Sequence, residues 1–253
     1  MGSRRSFRSR AIVLDRTVLG EHDLILTLLD ESGEQRRAVA KGVRKGKSRI
    51  AARCDYFCES DFLIYQGKNL DVISDAASVD AHHGISISPE KIAAAAALCE
   101  IALLTSFEES SDPFLQPILS RAHKAVEQSS DQGHLDLTVA AYAFKVLAHS
   151  GWRPELGACT SCGDTDPLFF SVAAGGLVCA SCAQTMPDAE PLAPSQIAWL
   201  RSCIGLTFDE LLAAPIDPDT ALFLLGAAHA WAATQLSSRL KAFEFALSLQ
   251  QLQ

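Results

Sequence analysis

The 253-residue chain lacks an apolar run of the length a membrane span needs. Its least polar stretches, residues 92–107 and 221–236, are interrupted by Glu100 and His229 and stay below the roughly 18 residues required. The opening twenty residues are rich in arginine, but Asp15 and Arg16 cut the apolar run short and no small-residue cleavage site follows. No signal peptide is therefore expected, and the expected location is cytoplasmic. Gly-x-Gly and Walker loops are missing, so nothing in the sequence cradles a nucleotide cofactor. None of the seven histidines has Glu two residues later, and neither cysteine pair follows a proline. That excludes the zinc-deaminase signature. Finally, residues 154–200 contain no Lys, Arg or His at all.

The positive charge has been gathered elsewhere. The net charge is −8, yet residues 1–53 hold thirteen Lys/Arg against six Asp/Glu, a balance of +7. The remaining 200 residues hold nine against twenty-four, a balance of −15. A basic end on an acidic body points to a polyanion-binding module joined to a part with another task. Within that end, "RRAVAKGVRKGKSRIAAR" carries eight cations and no acid. Arg36, Arg37, Lys41, Arg44, Lys45, Lys47 and Arg49 are the phosphate-binding candidates, and Gly42 and Gly46 keep the loop backbone accessible. Arg4, Arg5, Arg8 and Arg10 form a second cluster. Charge runs are usually solvated loops, but here over half the positive charge sits in a fifth of the chain.

Short runs rich in Val, Ile, Leu and Phe fill the first eighty residues: "RAIVLDR", "DLILTLLD", "RRAVAKGV", "FCESDFLIYQ" and "LDVISDA". Five such strands suit a small closed barrel of the OB type, because closure removes exposed edges. After "HHGIS" the period becomes helical. Ser88 and Pro89 are an N-cap and first helical residue, with Ile92, Cys99, Leu103 and Phe107 on one stripe. A second helix starts at Asp112-Pro113. A third, near residues 134–149, shows Leu137, Ala141, Phe144 and Leu147 on one face and stops at Gly151. Ser195 is expected to cap another helix, Thr207 and Glu210 spell a capping box, and Asp217-Pro218 opens a long Ala-rich helix. The fold class is thus α+β: residues 1–80 a five-stranded OB-fold barrel, residues 81–253 helical, with a four-cysteine ribbon inserted at 155–190.

That ribbon is "CTSCGDTDPLFFSVAAGGLVCASC", two Cys-x-x-Cys pairs separated by sixteen residues. In a reducing compartment the pairs favour metal over disulfide; the alternative is redox dithiols or four free cysteines. Cys159, Cys162, Cys179 and Cys182 are the expected ligands of one Zn2+, with Gly175-Gly176 turning a hairpin between the pairs. Four protein ligands leave no open position for water, so the zinc is structural rather than catalytic. A thiolate-rich ribbon without cations would repel phosphate and is not itself a DNA site. Cys54 and Cys58 are taken as partly buried thiols, Cys99 and Cys203 as helix-core residues, and His82 and His83 as incidental loop residues.

Three stretches resemble the RecO family of bacterial DNA repair proteins. "GEHDLILTLLDESGEQRRAVAKGVRKGKSR" looks like that family's barrel segment, and "FLIYQGKNLDVISDA" like its closing strands. "FKVLAHSGWRPELGACTSCG" with "FFSVAAGGLVCASC" resembles the helix-to-ribbon segment of its zinc-containing members. The pattern departs after Ser48, where Cys54 and Cys58 stand at positions more often apolar or acidic. The resemblance implies a nucleoid-associated recombination mediator and not an enzyme. Such a mediator binds single- and double-stranded DNA, anneals complementary strands, contacts the tail of single-strand-binding protein and, with RecR, helps load RecA. The rival readings are an OB-fold/zinc-ribbon transcription or RNA-associated factor, and a hydrolase, which would need an open metal site or an acid–base pair.

Overall fold

Alternation along the first strands turns one set of side chains toward a common interior. In the computed structural model, which describes residues 5–250, the strands are β1 (Ser6–Leu19), β2 (Asp23–Asp30), β3 (Gln35–Ala40), β4 (Glu59–Tyr65) and β5 (Asp71–Asp80). They close in the order β1-β2-β3-β5-β4, with β4 returning to β1. Every pair is antiparallel except β3 with β5, where Ala38–Ala40 run parallel to Asp71–Ile73. This is the five-stranded OB-type barrel the sequence pointed to. Its interior holds Ala11 and Val13 from β1, Leu24, Leu26 and Leu28 from β2, Phe62 and Ile64 from β4, and Ile73 from β5.

The chain divides into two compact units at Gln128/Ser129, and the barrel expected over residues 1–80 lies within the first. Two helices belong with the barrel, α1 (Pro89–Thr105) and α2 (Leu115–Gln128). They lie against β1, and Ile12 and Leu29, though absent from the barrel's interior cluster, are fully buried too. Ser88 caps α1 by accepting the Lys91 N–H, as expected. The stripe on α1 differs from the expected one: Ile92 is exposed, and Phe107 lies beyond the helix end and is exposed as well. The buried residues are instead Ala93, Ala94, Ala95, Ala97, Leu98, Cys99, Ile101 and Ala102. A helix that is apolar nearly all round has no single stripe for periodicity to find. The β2–β3 turn meets the α1–α2 connection so closely that a Cβ on Gly33 (φ +77°) would lie 1.7 Å from the Asp112 carbonyl oxygen. Only glycine fits there.

The second unit is built on α3 (Gln132–His149), whose Leu137, Ala141, Phe144 and Leu147 are buried. Asp131 caps it by accepting the His134 N–H. The ribbon follows, comprising β6 (Phe169–Ser171), β7 (Gly176–Val178), the single turn α4 (Ala180–Ala183) and β8 (Glu190–Pro191). Four more helices complete the unit: α5 (Pro194–Gly205), α6 (Phe208–Ala213), α7 (Pro218–Gln235) and α8 (Lys241–Gln250). Helices α5, α6 and α7 pack on α3. The Lys145 ammonium of α3 donates to the carbonyls of Ile204 (3.1 Å) and Leu206, satisfying the open end of α5. Ser195 is not the cap of α5. Ala193 is, with Pro194 in the first turn and the Gln196 side chain accepting the Ala193 N–H at 2.9 Å. Proline at the first helical position sets the start two residues earlier than Ser195 would. The Thr207–Glu210 box and the Asp217 cap form as expected. No helix among the described residues is long and apolar enough to cross a membrane.

Candidate nucleic-acid interface and metal centre

The cations of the first unit follow from the barrel's alternation. Arg37 is exposed on β3, between the buried Ala38 and the half-buried Arg36. From β3 the chain enters a run of turns over residues 41–50, in which Lys41, Arg44, Lys45, Lys47 and Arg49 are all exposed. The loop is held rather than loose. Asp23 accepts the Gly42 N–H at 2.7 Å, the Arg44 N–H donates to His22 O at 3.0 Å, and Ser48 N–H to Lys45 O at 2.9 Å. Val43, 4% exposed, anchors the loop in the barrel interior. The β1–β2 turn therefore fixes the base of the loop while its cations face outward.

Arg36 is different. Its guanidinium donates to Asp30 at 2.6 Å and to Glu34 at 2.6 Å and lies over the Phe7 ring. Burial opposes its charge, but the two carboxylates outweigh burial and raise its pKa. With two acids already satisfied, it has little charge left for phosphate. Lys41, Lys45, Lys47, Arg37 and Arg49 have no carboxylate partner among the described residues, and the Arg44 guanidinium donates only to Gly20 O at 3.4 Å. In the second cluster Arg5 and Arg8 are exposed, Arg10 pairs with Asp61 at 3.0 Å, and Arg4 lies outside the described residues.

The four ribbon cysteines converge from two knuckles. Gly163 (φ +79°) turns the first, where its N–H donates to Cys159 O at 2.9 Å and the Cys159 N–H donates to Asp164 O at 2.7 Å. In the second the Ala183 N–H donates to Cys179 O at 2.9 Å. Between them runs the expected hairpin, to which β8 adds an unexpected third strand, Phe170 facing Glu190. A two-residue strand leaves no periodicity to read. Gly176 is obligatory: a Cβ there would lie 2.2 Å from Glu155 O, where the incoming chain pairs with the hairpin.

All four Sγ atoms lie within 4.8 Å of one another, Cys162 and Cys179 at 3.7 Å. A metal held at about 2.3 Å by four thiolates in a tetrahedron sets its sulfurs about 3.8 Å apart, so the residues fit such an ion. Backbone N–H groups, that of Cys179 first, hold the Cys159 thiol down at about 6. Those around Cys179, that of Cys182 first, lower its pKa too. Hydrogen bonding to the Cys179 and Cys162 sulfurs pushes Cys182 up to about 12. The Cys159 sulfur is thus poised as a thiolate, and a dication would displace the remaining protons.

The other cysteines are inert by burial. Cys54 lies in the barrel core with its thiol pushed up to about 12, and Cys58 reaches about 11, both more buried than the sequence suggested. Cys99 and Cys203 are helix-core residues, as expected. His82, expected to be an incidental loop residue, is 2% exposed and lies in the left-handed region at φ +44°. Its Nδ1 lies 2.9 Å from Glu127, whose other oxygen accepts the Gly84 N–H at 2.8 Å. Lys91 donates to Glu127 O at 2.6 Å. This clamp ties the end of β5 to α2 across 45 residues of sequence, a separation no local motif reveals.

An OB-type barrel with a clustered basic loop, and a helical unit bearing a four-cysteine ribbon, define a nucleic-acid-binding class of protein. Comparison makes the assignment specific. The family model "Recombination protein O N terminal" matches residues 4–82, and "Recombination protein O C terminal" matches residues 88–243. The chain is 36% identical over 215 residues to the DNA repair protein RecO of Bifidobacterium longum (strain DJO10A), covering 83% of this chain and 87% of that protein. It is 34% identical over 219 residues to the RecO of Bifidobacterium adolescentis, covering 83% and 86%. The chain belongs to the RecO family, whose role is recombination and DNA repair.

Proposed function

We propose that this protein is a recombination mediator without an enzymatic step. It binds single- and double-stranded DNA through the β3 and loop cations and anneals complementary strands. Two polyanions repel each other, and a surface that presents cations to both lowers the cost of bringing them together. The observation that carries this reading is the held loop with exposed, unpaired Lys41, Lys45, Lys47 and Arg49 beside Arg37. Arg36 contributes to this surface by fixing the β2–β3 turn. The acidic ribbon holds one structural Zn2+ through Cys159, Cys162, Cys179 and Cys182 and does not meet phosphate. In this reading the partners are the tail of single-strand-binding protein, RecR and, indirectly, RecA, at the nucleoid. Family membership favours this reading over the transcription or RNA-associated alternative. The test is annealing of complementary oligonucleotides coated with single-strand-binding protein. Acceleration by the full chain is expected, and coated strands that anneal no faster with it would refute the mediator reading.

A further inference from the structure

Beside the basic loop, the barrel wall carries a cleft of about 390 Å3 lined by Arg49, Arg53, Leu63, Ser74, Asp75 and Ala76. Small-ligand sites begin near about 300 Å3, so one flat ring system fits. The strands are irregular at this place. Leu63 pairs with Asp75 but Ile64 pairs with Ile73, which leaves Ser74 as an extra residue in β5. Its hydroxyl donates to Leu63 O at 3.1 Å. Such bulges re-aim neighbouring side chains and gather at binding sites. Opposite the bulge, a 3-10 turn (Ala51–Cys54) carries Arg53, whose Nη1 donates to Arg49 O while its Nε is buried without a partner.

Asp75 is the informative residue. It is exposed and has no cation partner among the described residues, although it shares a cleft with Arg49, itself one of the phosphate candidates. A free carboxylate on a phosphate path repels the ligand unless it meets a hydrogen-bond donor. Exocyclic amino groups of cytosine, adenine and guanine are such donors, whereas thymine offers only its ring N3–H, set between two carbonyl oxygens that a carboxylate repels. We propose that this cleft is a subsite for one unpaired, amino-bearing nucleobase of a bound single strand. Leu63 and Ala76 supply the apolar wall, Asp75 accepts from the amino group, Arg53 donates to a ring acceptor, and Arg49 holds the adjoining phosphate. A duplex cannot use the site, because its bases stay stacked inside the helix and none can enter the cleft without being flipped out. The inference rests on the DNA-binding reading above.

The test measures binding of the full chain to oligo-dC, oligo-dT and a duplex by fluorescence anisotropy. Wild-type protein is expected to hold oligo-dC about fivefold tighter than oligo-dT, the lower end of one base-edge contact. Asp75→Ala should lose that preference, weakening oligo-dC binding about fivefold even though a repelling charge has gone. Its duplex affinity should stay level or rise. Ser74→Phe, which fills the cleft from an exposed position, should erase the preference as well. If Asp75→Ala instead tightens binding to all three ligands alike, Asp75 is merely repulsive and the subsite is refuted while DNA binding stands. If wild-type protein binds none of the three, the DNA reading itself falls.

Discussion

Removing two loop cations should change the salt dependence of DNA binding by an amount the structure sets in advance. Seven cations were candidates, and Arg36 is already neutralised by Asp30 and Glu34. Six remain, Arg37, Lys41, Arg44, Lys45, Lys47 and Arg49, all exposed. On single strands each neutralised phosphate contributes about −0.7 to the slope of log K against log salt, giving about −4 for six contacts. Between about 50 and 200 mM salt the wild-type affinity should then fall about 300-fold. Lys45 and Lys47 project from turns without partners, so replacing both by Ala should leave the fold intact. The slope should relax to about −3 and the loss over the same range to about 50-fold, equally for all sequences. Arg36→Ala is the internal control. It should leave the slope nearly unchanged while costing about 2 kcal/mol of stability, since the buried Asp30 carboxylate loses a donor. Anisotropy titrations at four salt concentrations measure the slopes. An unchanged slope in the lysine variant, or a flattened one in Arg36→Ala, would refute the assignment and move the site toward Arg5 and Arg8.

Two further outcomes follow from the second unit. Cys159→Ser with Cys179→Ser should reduce bound zinc from one equivalent to nearly none by metal analysis and lower the melting temperature; full retention of zinc would contradict the four-thiolate site. Burial raises Asp136 to about 6, opposed by the Gln132 hydrogen bond, so the folded state takes up a proton there that the unfolded state, at 3.8, does not. Asp136 should therefore contribute about 1.4 kcal/mol more stability at pH 5 than at pH 7, seen in denaturant titrations as the difference between the wild-type and Asp136→Asn profiles, because buried His123, held down at about 3, works in the opposite sense over the same range. An identical pH profile in the variant would show that Asp136 is not the group responsible.

Much of the fold could be read locally. The capping residues Ser88, Thr207 and Asp217 act within three positions of themselves, and β2 coincides with the run "DLILTLLD". Likewise both Cys-x-x-Cys knuckles are closed by bonds that span only a few residues. Where reading failed, the cause lay in contacts remote in sequence. Ile92 and Phe107 keep helical spacing yet are exposed, because the alanines of α1 make the close contacts. Cys54 belongs to the barrel interior because a short 3-10 turn carries it inward, which strand alternation cannot express.

The same division separates the two halves of the candidate site. Composition alone determined that positive charge is gathered in the first fifth of the chain and absent from the ribbon. The ligand spacing likewise determined that four thiolates can reach one metal, since a Cys-x-x-Cys turn is a local geometry. Only the tertiary structure decided which cations are free. Arg36 and Arg37 are neighbours of the same charge, but strand alternation turns them to opposite faces, and the β2–β3 turn sets Asp30 and Glu34 within reach of Arg36 alone. Tertiary structure also brought Ser74 and Asp75 beside Arg49 and Arg53, by pairing β4 with β5 through a bulge. Charge is a property of residues, whereas its availability depends on which partners folding brings within hydrogen-bond distance.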